Sequence, residues 1–449
     1  MTSSSTASSP SSSAHPENGK SGLQGAFNYL SPDLQRCVSE AGYTRPTPIQ
    51  EQSIGPIAEG KDLIGTAQTG TGKTAAFTLP ILQRLSASPV KVHKGSPRVL
   101  ILAPTRELAA QIGESIETYG RFLSLKHAVI FGGVNQFHQV KQLNNGLDIL
   151  VATPGRLLDL MNQGYIRLNK VEIFVLDEMD RMLDMGFIRD IKKVLVEVPS
   201  KRQTLFFSAT MSHQIEQLAA TMVRNPIRVS ITPDKPTVDR IDQKVLFIQP
   251  GNKNRSLVNL IKGKEVEKVI VFTQMKHAAN KVVENLTEAG IRAVAIHGNK
   301  SQAARIKALD GFKRGRFQVL VATDVAARGL DVDDISHVVN YDMPVEAETY
   351  VHRIGRTARA GADGDAISFV SPEDRAYLTQ VEKLLGNPVP VDLDHEFHSD
   401  EARYSTLKPK VPGRGRSGGR GGNKNRSRTK PSNRRGRQMG GHRSGVRGK

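Results

Sequence analysis

The stretch of sequence that decides the fold reads Ala67-Gln68-Thr69-Gly70-Thr71-Gly72-Lys73-Thr74. It follows an apolar run and precedes a helix-like run, which is the context of a phosphate-binding loop. Gly70 and Gly72 allow backbone N–H groups to turn inward around a phosphate, and the next helix adds its positive dipole end. Lys73 is placed to reach the β- and γ-phosphates, and the Thr74 hydroxyl to hold Mg²⁺. Although Ala67 replaces the first glycine of the generic pattern, the stretch predicts nucleoside triphosphate hydrolysis rather than a chance flexible turn.

A second acidic motif follows the apolar run that ends at Leu176 and reads Asp177-Glu178-Met179-Asp180. A parallel sheet presents the carboxyl end of such a strand on the same side as the phosphate loop. We therefore predict that Asp177 holds Mg²⁺, and that Glu178 orients and deprotonates the attacking water. A solvated acidic turn is the alternative interpretation.

Short β-branched runs alternate with helical patterns, which is typical of βαβ units and parallel sheets. The strands expected in the first half are Arg98–Ala103, His127–Phe131, Leu147–Ala152, Val171–Leu176 and Gln203–Ser208. Those expected in the second half are Lys244–Ile248, Lys268–Phe272, Arg292–His297, Gln318–Ala322, His337–Tyr341 and Ala366–Val370. The second half has no phosphate loop of its own, so we predict an α/β protein whose two parallel-sheet domains share one nucleotide site.

The pattern also predicts the domain boundaries. We expect a disordered Ser-rich tail at 1–22, domain 1 at 23–230, a linker at 231–243, domain 2 at 244–393 and a disordered basic Gly/Arg-rich tail at 394–449. Neither tail has enough apolar residues to bury a core.

Charge is concentrated at the carboxyl end of the chain. The net charge is +19, and residues 408–449 hold fifteen of the 63 Lys and Arg residues but none of the 44 acidic residues. Such a segment binds polyanions through counterion release, although a solubilising tail is the simpler alternative. It has no aromatic residue, so we expect contact with nucleic acid of little sequence preference.

Composition excludes several classes of protein. No stretch approaches the ~20 apolar residues of a membrane span, and the amino terminus lacks an apolar signal core. The single cysteine, Cys37, excludes an intramolecular disulfide and a cysteine zinc cluster, and we expect it to be buried on an early helix. We predict a cytoplasmic protein without membrane contact.

A third motif in the second half reads His352-Arg353-Ile354-Gly355-Arg356-Thr357-Ala358-Arg359. With the motifs above, it makes the region from Phe27 to Leu385 resemble the DEAD-box ATP-dependent RNA helicases of superfamily 2. The runs 181–187 and 297–302 resemble the bacterial RhlE-like group in particular. The resemblance implies two tandem RecA-like domains, ATP and Mg²⁺ as cofactors, and single-stranded or short duplex RNA as the partner of a monomer.

The resemblance also implies roles for individual residues. Those expected to bind the nucleotide are Phe27 stacking on adenine, Gln50 reading its edge, Thr69, Gly70, Thr71, Gly72, Lys73 and Thr74 in the loop, and Asp331 at the ribose. Lys73, Asp177 and Glu178 are the expected catalytic residues of domain 1. Arg356 and Arg359, three apart on one expected helical face, are the arginine fingers of domain 2. The residues expected to couple hydrolysis to strand separation are Asp180, Ser208, Thr210 and His352.

RNA contact is expected from loops in both domains. These residues are Pro104, Thr105, Arg106, Gly133, Thr153, Arg156, Thr273, Gly298, Gln302, Arg305 and Thr323. Hydroxyls, helix-start N–H groups and arginines suit phosphate and sugar oxygens, so we expect binding that is largely independent of sequence. We predict an RNA-stimulated ATPase that locally unwinds short RNA duplexes, with a basic tail that contacts RNA or ribonucleoprotein.

Three alternatives remain open at this point. The chain could be an ATP-gated RNA clamp or annealing chaperone driven by its tail, or a DNA translocase. It could also be a non-hydrolysing scaffold, because Met179 stands where the family has alanine. Extra bulk in a packed core typically costs ~1–3 kcal/mol unless neighbours make room.

Overall fold

A computed structural model describes residues 23–68, 70–231, 240–263, 266–327, 332, 335–358 and 363–407. The predictions for the Ser-rich tail, most of the linker, the tail from 408 onward, and three single site residues lie outside this part of the chain. Those three residues are Thr69, Asp331 and Arg359. Within the described ranges, no helix is both long and apolar enough to cross a membrane.

Residues 23–231 form lobe 1, an α/β unit. Its strands are β1 (Leu63–Thr66), β2 (Val99–Leu102), β3 (His127–Ile130), β4 (Ile149–Ala152), β5 (Ile173–Leu176), β6 (Gln203–Ser208) and β7 (Ile227–Ser230). A 3-10 turn at Gly25–Tyr29 precedes helices α1 (Pro32–Glu40), α2 (Pro48–Ala58), α3 (Lys73–Ala87), α4 (Arg106–Gly120), α5 (Phe137–Asn144), α6 (Pro154–Asn162), α7 (Met179–Asp184), α8 (Ile188–Glu197) and α9 (His213–Ala220). Local capping starts several helices: the Thr105 hydroxyl accepts a bond from the backbone N–H of Leu108, and Thr47 and Gln50 form a capping box at α2.

Lobe 1 is built on one fully parallel sheet of order β3-β4-β2-β5-β6-β1-β7. Strand residues alternate between two apolar clusters, one on each face, as a sheet covered by helices on both sides requires. The neighbours β5 and β6 lie between β2 and β1, so the acidic motif after β5 and the loop after β1 leave the same edge.

Residues 240–407 form lobe 2, with the same architecture. Its strands are β8 (Ile241–Phe247), β9 (Val269–Phe272), β10 (Ala293–Ile296), β11 (Val319–Ala322), β12 (His337–Asn340) and β13 (Gly364–Val370). A 3-10 turn at Pro250–Asn252 precedes helices α10 (Lys253–Ile261), α11 (Lys276–Glu288), α12 (Gln302–Lys313), α13 (Asp324–Ala327), α14 (Ala347–Ile354), α15 (Arg375–Leu385) and α16 (Asp400–Arg403). The parallel sheet has the order β10-β11-β9-β12-β13-β8.

The α/β prediction with two parallel sheets is confirmed, and every expected strand is present. The structure adds β7 and shows that the apolar run before the phosphate loop is a strand, β1. It also starts β8 at Ile241, inside the expected linker. Cys37 is buried on α1, as expected.

The prediction of disorder from residue 394 is wrong for 394–407. This segment packs beside the end of β8, where the Ser399 N–H donates to the carbonyl of Phe247. Its short helix α16 buries Ala402. The Ser405 hydroxyl then donates to the carbonyl of Pro372, just after β13. Lobe 2 therefore extends to the end of the described chain.

Candidate nucleotide site

The loop after β1 has the geometry that its sequence predicts. Gly72 immediately precedes α3 with φ near +91°, and a Cβ there would overlap the Gln50 side-chain amide. Glycine is therefore required both by backbone conformation and by space. Lys73, the first residue of α3, is buried, and its ammonium donates to the carbonyls of Ala67 and Gln68. The loop thus places a cation and a helix amino terminus side by side, which is an anion-binding arrangement.

The acidic motif lies directly after β5. Asp177 and Glu178 are both buried, and the Glu178 N–H donates to an Asp177 carboxylate oxygen at 3.0 Å. Glu178 has a left-handed backbone, with φ near +53°, which is uncommon for a non-glycine residue and clusters at functional sites. Arg181, which we did not predict as a site residue, forms an ion pair with Glu178. The opposite charges three residues apart are the sequence signal that could have identified it.

Opposite charges meet in this buried region. Burial lowers the pKa of Lys73, while the nearby carboxylates of Asp177, Glu178 and Asp180 oppose that shift. Burial, reinforced by Glu178 and opposed by Lys73, raises the pKa of Asp177 above its usual range. A second positive group near Asp177 would therefore favour its ionised form.

The donor set fits a magnesium ion held together with phosphates. Mg²⁺ is commonly bound through one or two carboxylates plus substrate phosphates rather than by an all-protein cage. Asp177 supplies a carboxylate close to Lys73, the first residue of α3, and Thr74 is the second residue of that helix. Among the described residues, no group of three or more His, Cys, Asp and Glu side chains forms such a cage.

Asp180 joins the acidic motif to the end of β6. One of its carboxylate oxygens accepts bonds from the N–H groups of Ala209 and Thr210, both at 3.0 Å, and from the Thr210 hydroxyl at 3.3 Å. The Asp180 N–H donates to the Ser208 hydroxyl at 3.2 Å. These hydrogen bonds connect three of the four predicted coupling residues, Asp180, Ser208 and Thr210, and the coupling role itself stays a prediction.

Side chains of both lobes line a small cavity. Lobe 1 contributes Arg181, and lobe 2 contributes Phe272, Asp324, Ala327, Thr349, His352, Arg353 and Arg356. Arg356 is buried, and its Nε donates to the carbonyl of His352 at 3.2 Å. Burial lowers the pKa of His352, which the Asp180 carboxylate partly offsets. The predicted finger and the predicted coupling histidine therefore lie where the lobes meet.

The arginine motif differs from its predicted helical form. Helix α14 ends at Ile354, so Arg356 follows the helix rather than lying on it. Arg353 holds the segment in place. It forms two bonds with Asp324 at 2.6 and 2.8 Å and donates to Asn340 and to the Asp342 carbonyl.

The position of Phe27 contradicts its expected stacking on adenine. The ring is only 1% exposed and belongs to the apolar core of lobe 1, so it offers no face to a base. Gln50 is buried too, and its amide donates to the Gly72 carbonyl at 3.2 Å while its oxygen accepts from the Thr47 N–H.

Three of the residues expected to face RNA take part in a bridge between the lobes. Glu107 on α4 accepts a bond from Gln302 Nε2 and pairs with Arg305 Nη2, each at 3.0 Å. Arg106 donates to the Gln302 amide oxygen at 3.4 Å. The contact of Glu107 with lobe 2 was not predicted, because nothing in its local sequence points to a partner nearly two hundred residues away.

The other residues expected to contact RNA follow strand ends in both lobes. In lobe 1, Pro104, Thr105 and Thr153 are buried, Gly133 has φ near +76°, and Arg156 donates to Gln139 and to the Val134 carbonyl. In lobe 2, Thr273 is buried, Gly298 borders open space and Thr323 follows β11. The carboxyl edges of the two sheets therefore carry the whole predicted set.

Met179 fits the core without displacing the acidic motif. Its side chain is fully buried and belongs to the apolar cluster that also contains Leu176 and Phe206. The extra bulk relative to alanine therefore packs into the core, away from the carboxylates.

The comparisons with known proteins agree with this geometry. Residues 47–218 match the family model described as DEAD/DEAH box helicase, and residues 252–361 match the helicase conserved C-terminal domain. The chain is 42% identical over 379 residues to the ATP-dependent RNA helicase RhlB of Pseudomonas syringae pv. tomato, covering 83% of this chain and 95% of that protein. It is 44% identical over 359 residues to the DEAD-box ATP-dependent RNA helicase CshA of Bacillus subtilis, covering 80% and 71%.

A solved structure gives the same result. The chain resembles S. cerevisiae Dbp5 bound to RNA and ADP BeF3, with a TM-score of 0.71 and 33% identity over 81% of this chain and 95% of that one. This chain belongs to the DEAD/DEAH box helicase family. The narrower RhlE-like grouping stays a prediction.

Proposed function

We propose that this protein is an RNA-stimulated ATPase that locally unwinds or remodels short RNA duplexes. The observation that carries the proposal is the division of the site: lobe 1 supplies the phosphate loop and the carboxylates, while Arg356 of lobe 2 lines the cavity beside Arg181. The names of RhlB and CshA and the RNA in the Dbp5 structure support RNA as the partner.

We assign the nucleotide half-site to lobe 1. The N–H groups of the loop and the Lys73 ammonium bind the phosphates, and Gln50, whose amide already contacts the loop at Gly72, lies where it can read the base. The Thr74 hydroxyl and the Asp177 carboxylate would hold Mg²⁺, which would neutralise charge on the phosphate oxygens. Glu178 orients the attacking water and accepts its proton.

Arg356 completes the site from lobe 2, with Arg359 as its predicted companion. A guanidinium at the terminal phosphoryl group stabilises charge that develops in the transition state. Because these groups belong to a different lobe from Lys73, hydrolysis depends on how the lobes meet. ATP and RNA then favour the same closed arrangement, and each tightens binding of the other.

The RNA interface runs along the carboxyl edges of the two sheets. Its hydroxyls, loop N–H groups and arginines suit phosphate and sugar oxygens, so binding is largely independent of sequence. The bridge from Glu107 to Gln302 and Arg305 holds the two halves of this interface together. Asp180 links it to the nucleotide through the end of β6.

Localisation, oligomeric state and the role of the basic segment are further parts of the proposed function. We infer a cytoplasmic monomer whose basic segment 408–449 adds contact with RNA or ribonucleoprotein, in keeping with its fifteen positive residues. Deleting that segment should flatten the salt dependence of RNA affinity, by ~0.7 in the log–log slope for each phosphate of a single strand that the tail had neutralised. An unchanged slope would show that the tail does not bind RNA.

The test is ATP turnover by the full chain, titrated with single-stranded RNA and, separately, with DNA of the same sequence. We expect strong stimulation by RNA only, and Glu178→Gln should remove it. Equal stimulation by DNA would instead indicate a DNA translocase. Turnover as low as that of Glu178→Gln would indicate a scaffold that does not hydrolyse ATP.

A further inference from the structure

A buried cation lies against the carboxylate assigned to the attacking water. The Arg181 guanidinium pairs through Nη1 with Oε2 of Glu178, and the two side chains are only 8% and 7% exposed. Glu178 immediately precedes α7, and Arg181 lies in the first turn of that helix. The contact holds one carboxylate oxygen and leaves Oε1 outside it.

The ion pair lies among other buried charged groups, so its effect is electrostatic as well as steric. The side chains of Asp177 and Asp180 are buried close to Glu178, so several negative groups crowd one small volume. Lys73 is a positive group in the same region, but a phosphate-binding role commits it to the nucleotide. Arg181 is the positive group that stays with the acidic motif itself.

Arg181 also reaches the boundary between the lobes. It lines the same cavity as His352, Arg353 and Arg356. Its backbone is fixed as well, because the Arg181 N–H donates to an Asp180 carboxylate oxygen at 2.9 Å. Arg181 therefore pairs with Glu178 and also lines the cavity that the arginine motif of lobe 2 lines.

We propose that Arg181 is a positioning residue for hydrolysis, which anchors one oxygen of Glu178 so that the other faces the attacking water. The proposal rests on the role of Glu178 proposed above. Two other interpretations fit the same contact: a purely structural ion pair, and a latch that keeps Glu178 away from water. The three interpretations predict different effects on turnover when the Arg181 guanidinium is removed.

The experiment compares Arg181→Met and Arg181→Lys in the full-length protein at saturating RNA. A positioned general base contributes 10²–10⁴ in rate, so loss of its anchor should lower kcat by ~10-fold or more in Arg181→Met. KM for ATP and affinity for RNA should stay within about twofold of wild type, because the phosphate contacts are untouched. Arg181→Lys keeps a cation three residues from Glu178 and should recover most of the lost kcat.

A matched control removes an equally buried arginine elsewhere. Arg98 is 8% exposed and pairs with Glu172 at 2.7 Å, near the start of β2 and thus at the opposite edge of the sheet. Arg98→Met should leave kcat unchanged even if it lowers the melting temperature. Unchanged kcat in Arg181→Met would overturn the proposal in favour of packing, and a raised kcat would overturn it in favour of a latch.

Glu178→Gln separates this proposal from the one on which it rests. If Glu178→Gln abolishes turnover while Arg181→Met does not lower it, only the role of Arg181 fails. If Glu178→Gln keeps full turnover, the assignment of the base fails, and the role of Arg181 with it. If Glu178→Gln abolishes turnover and Arg181→Met lowers it, the double variant should be no slower than Glu178→Gln alone, because the two residues act as one unit.

Discussion

The two lobes have the same parallel-sheet architecture but carry opposite chemistry at their carboxyl edges. Lobe 1 presents a phosphate-binding helix start and a group of carboxylates around Lys73. Lobe 2 has no phosphate loop and presents Arg353 and Arg356. In the function proposed above, a fold repeated twice supplies two halves of one site, and neither half is complete alone.

The lobes also differ in how they hold their charges. In lobe 1, Asp180 is fixed by four hydrogen bonds to the segment at the end of β6. In lobe 2, the ion pair of Arg353 with Asp324 fixes the segment that carries Arg356. The acidic group at Asp180 is thus held by uncharged donors, whereas the arginine segment is held by an opposite charge.

The largest expected effect comes from removing that cation. Arg356→Ala should leave ATP binding intact and lower kcat by ~10³–10⁵-fold, the range measured for arginine fingers. Single-turnover hydrolysis at saturating RNA measures it, with Arg255→Ala on α10 as a control for loss of an arginine elsewhere in lobe 2. Retained turnover in Arg356→Ala would contradict the finger assignment.

The second effect concerns the stability of lobe 2. Lys253 is buried at the start of α10 and pairs with Asp342 at 3.2 Å and Asp374 at 3.1 Å. Removing one partner from a buried ion pair typically costs ~3–5 kcal/mol, so Lys253→Met should lower the free energy of unfolding by about that amount. Denaturant unfolding measures the loss, and the exposed Lys262→Met should be neutral. A change below ~1 kcal/mol would show that the pair is not needed.

The third effect tests the bridge between the lobes. Glu107→Gln keeps an acceptor for Gln302 but loses the charge that pairs with Arg305, so ATP and RNA should assist each other's binding less. We expect a loss of ~1–3 kcal/mol in their coupling free energy, the scale of a charged hydrogen bond. Nucleotide titrations with and without RNA measure it, with Glu114→Gln on the same helix as the control. Undiminished coupling would mean that the bridge is incidental.

The smallest effect concerns Ala358, whose backbone has φ near +53°. A left-handed conformation costs a residue with a Cβ ~1–2 kcal/mol, so Ala358→Gly should stabilise lobe 2 by up to about that amount. The gain is reduced by the extra freedom of glycine in the unfolded chain. Thermal unfolding measures the change in stability. Ala303→Gly, in the exposed part of α12, should instead destabilise by ~1 kcal/mol, and equal signs for the two variants would contradict this explanation.

Much of the fold could be predicted because strand and helix periodicities are local. All eleven expected strands are present, whereas β7 escaped prediction because three of its four residues are exposed and form no apolar run. The segment 394–407 escaped for a different reason. It is held by separate hydrogen bonds from side chains and backbone, such as Gln249 to Ser399 and Ser399 to Phe247, which leave no periodic pattern in the sequence.

The candidate site likewise contains residues that the sequence predicts and residues that only the structure shows. The phosphate loop and the acidic motif are contiguous, so their residue types and spacing predict them. Phe27 shows the limit of motif reasoning, because a motif locates a residue in the chain but does not show whether its ring faces a ligand or the core. The ion pair of Glu107 with Arg305 joins residues of different lobes, and only the packing of the two lobes reveals it.

The central claim is that ATP and RNA bind together to one arrangement of the two lobes. The most direct measurement is the affinity of Glu178→Gln for a short single-stranded RNA, with and without saturating ATP, together with the reverse titration of ATP in the presence of RNA. The account predicts that each ligand tightens the other by the same factor, as linkage requires. Affinities that are unchanged by the second ligand would contradict it.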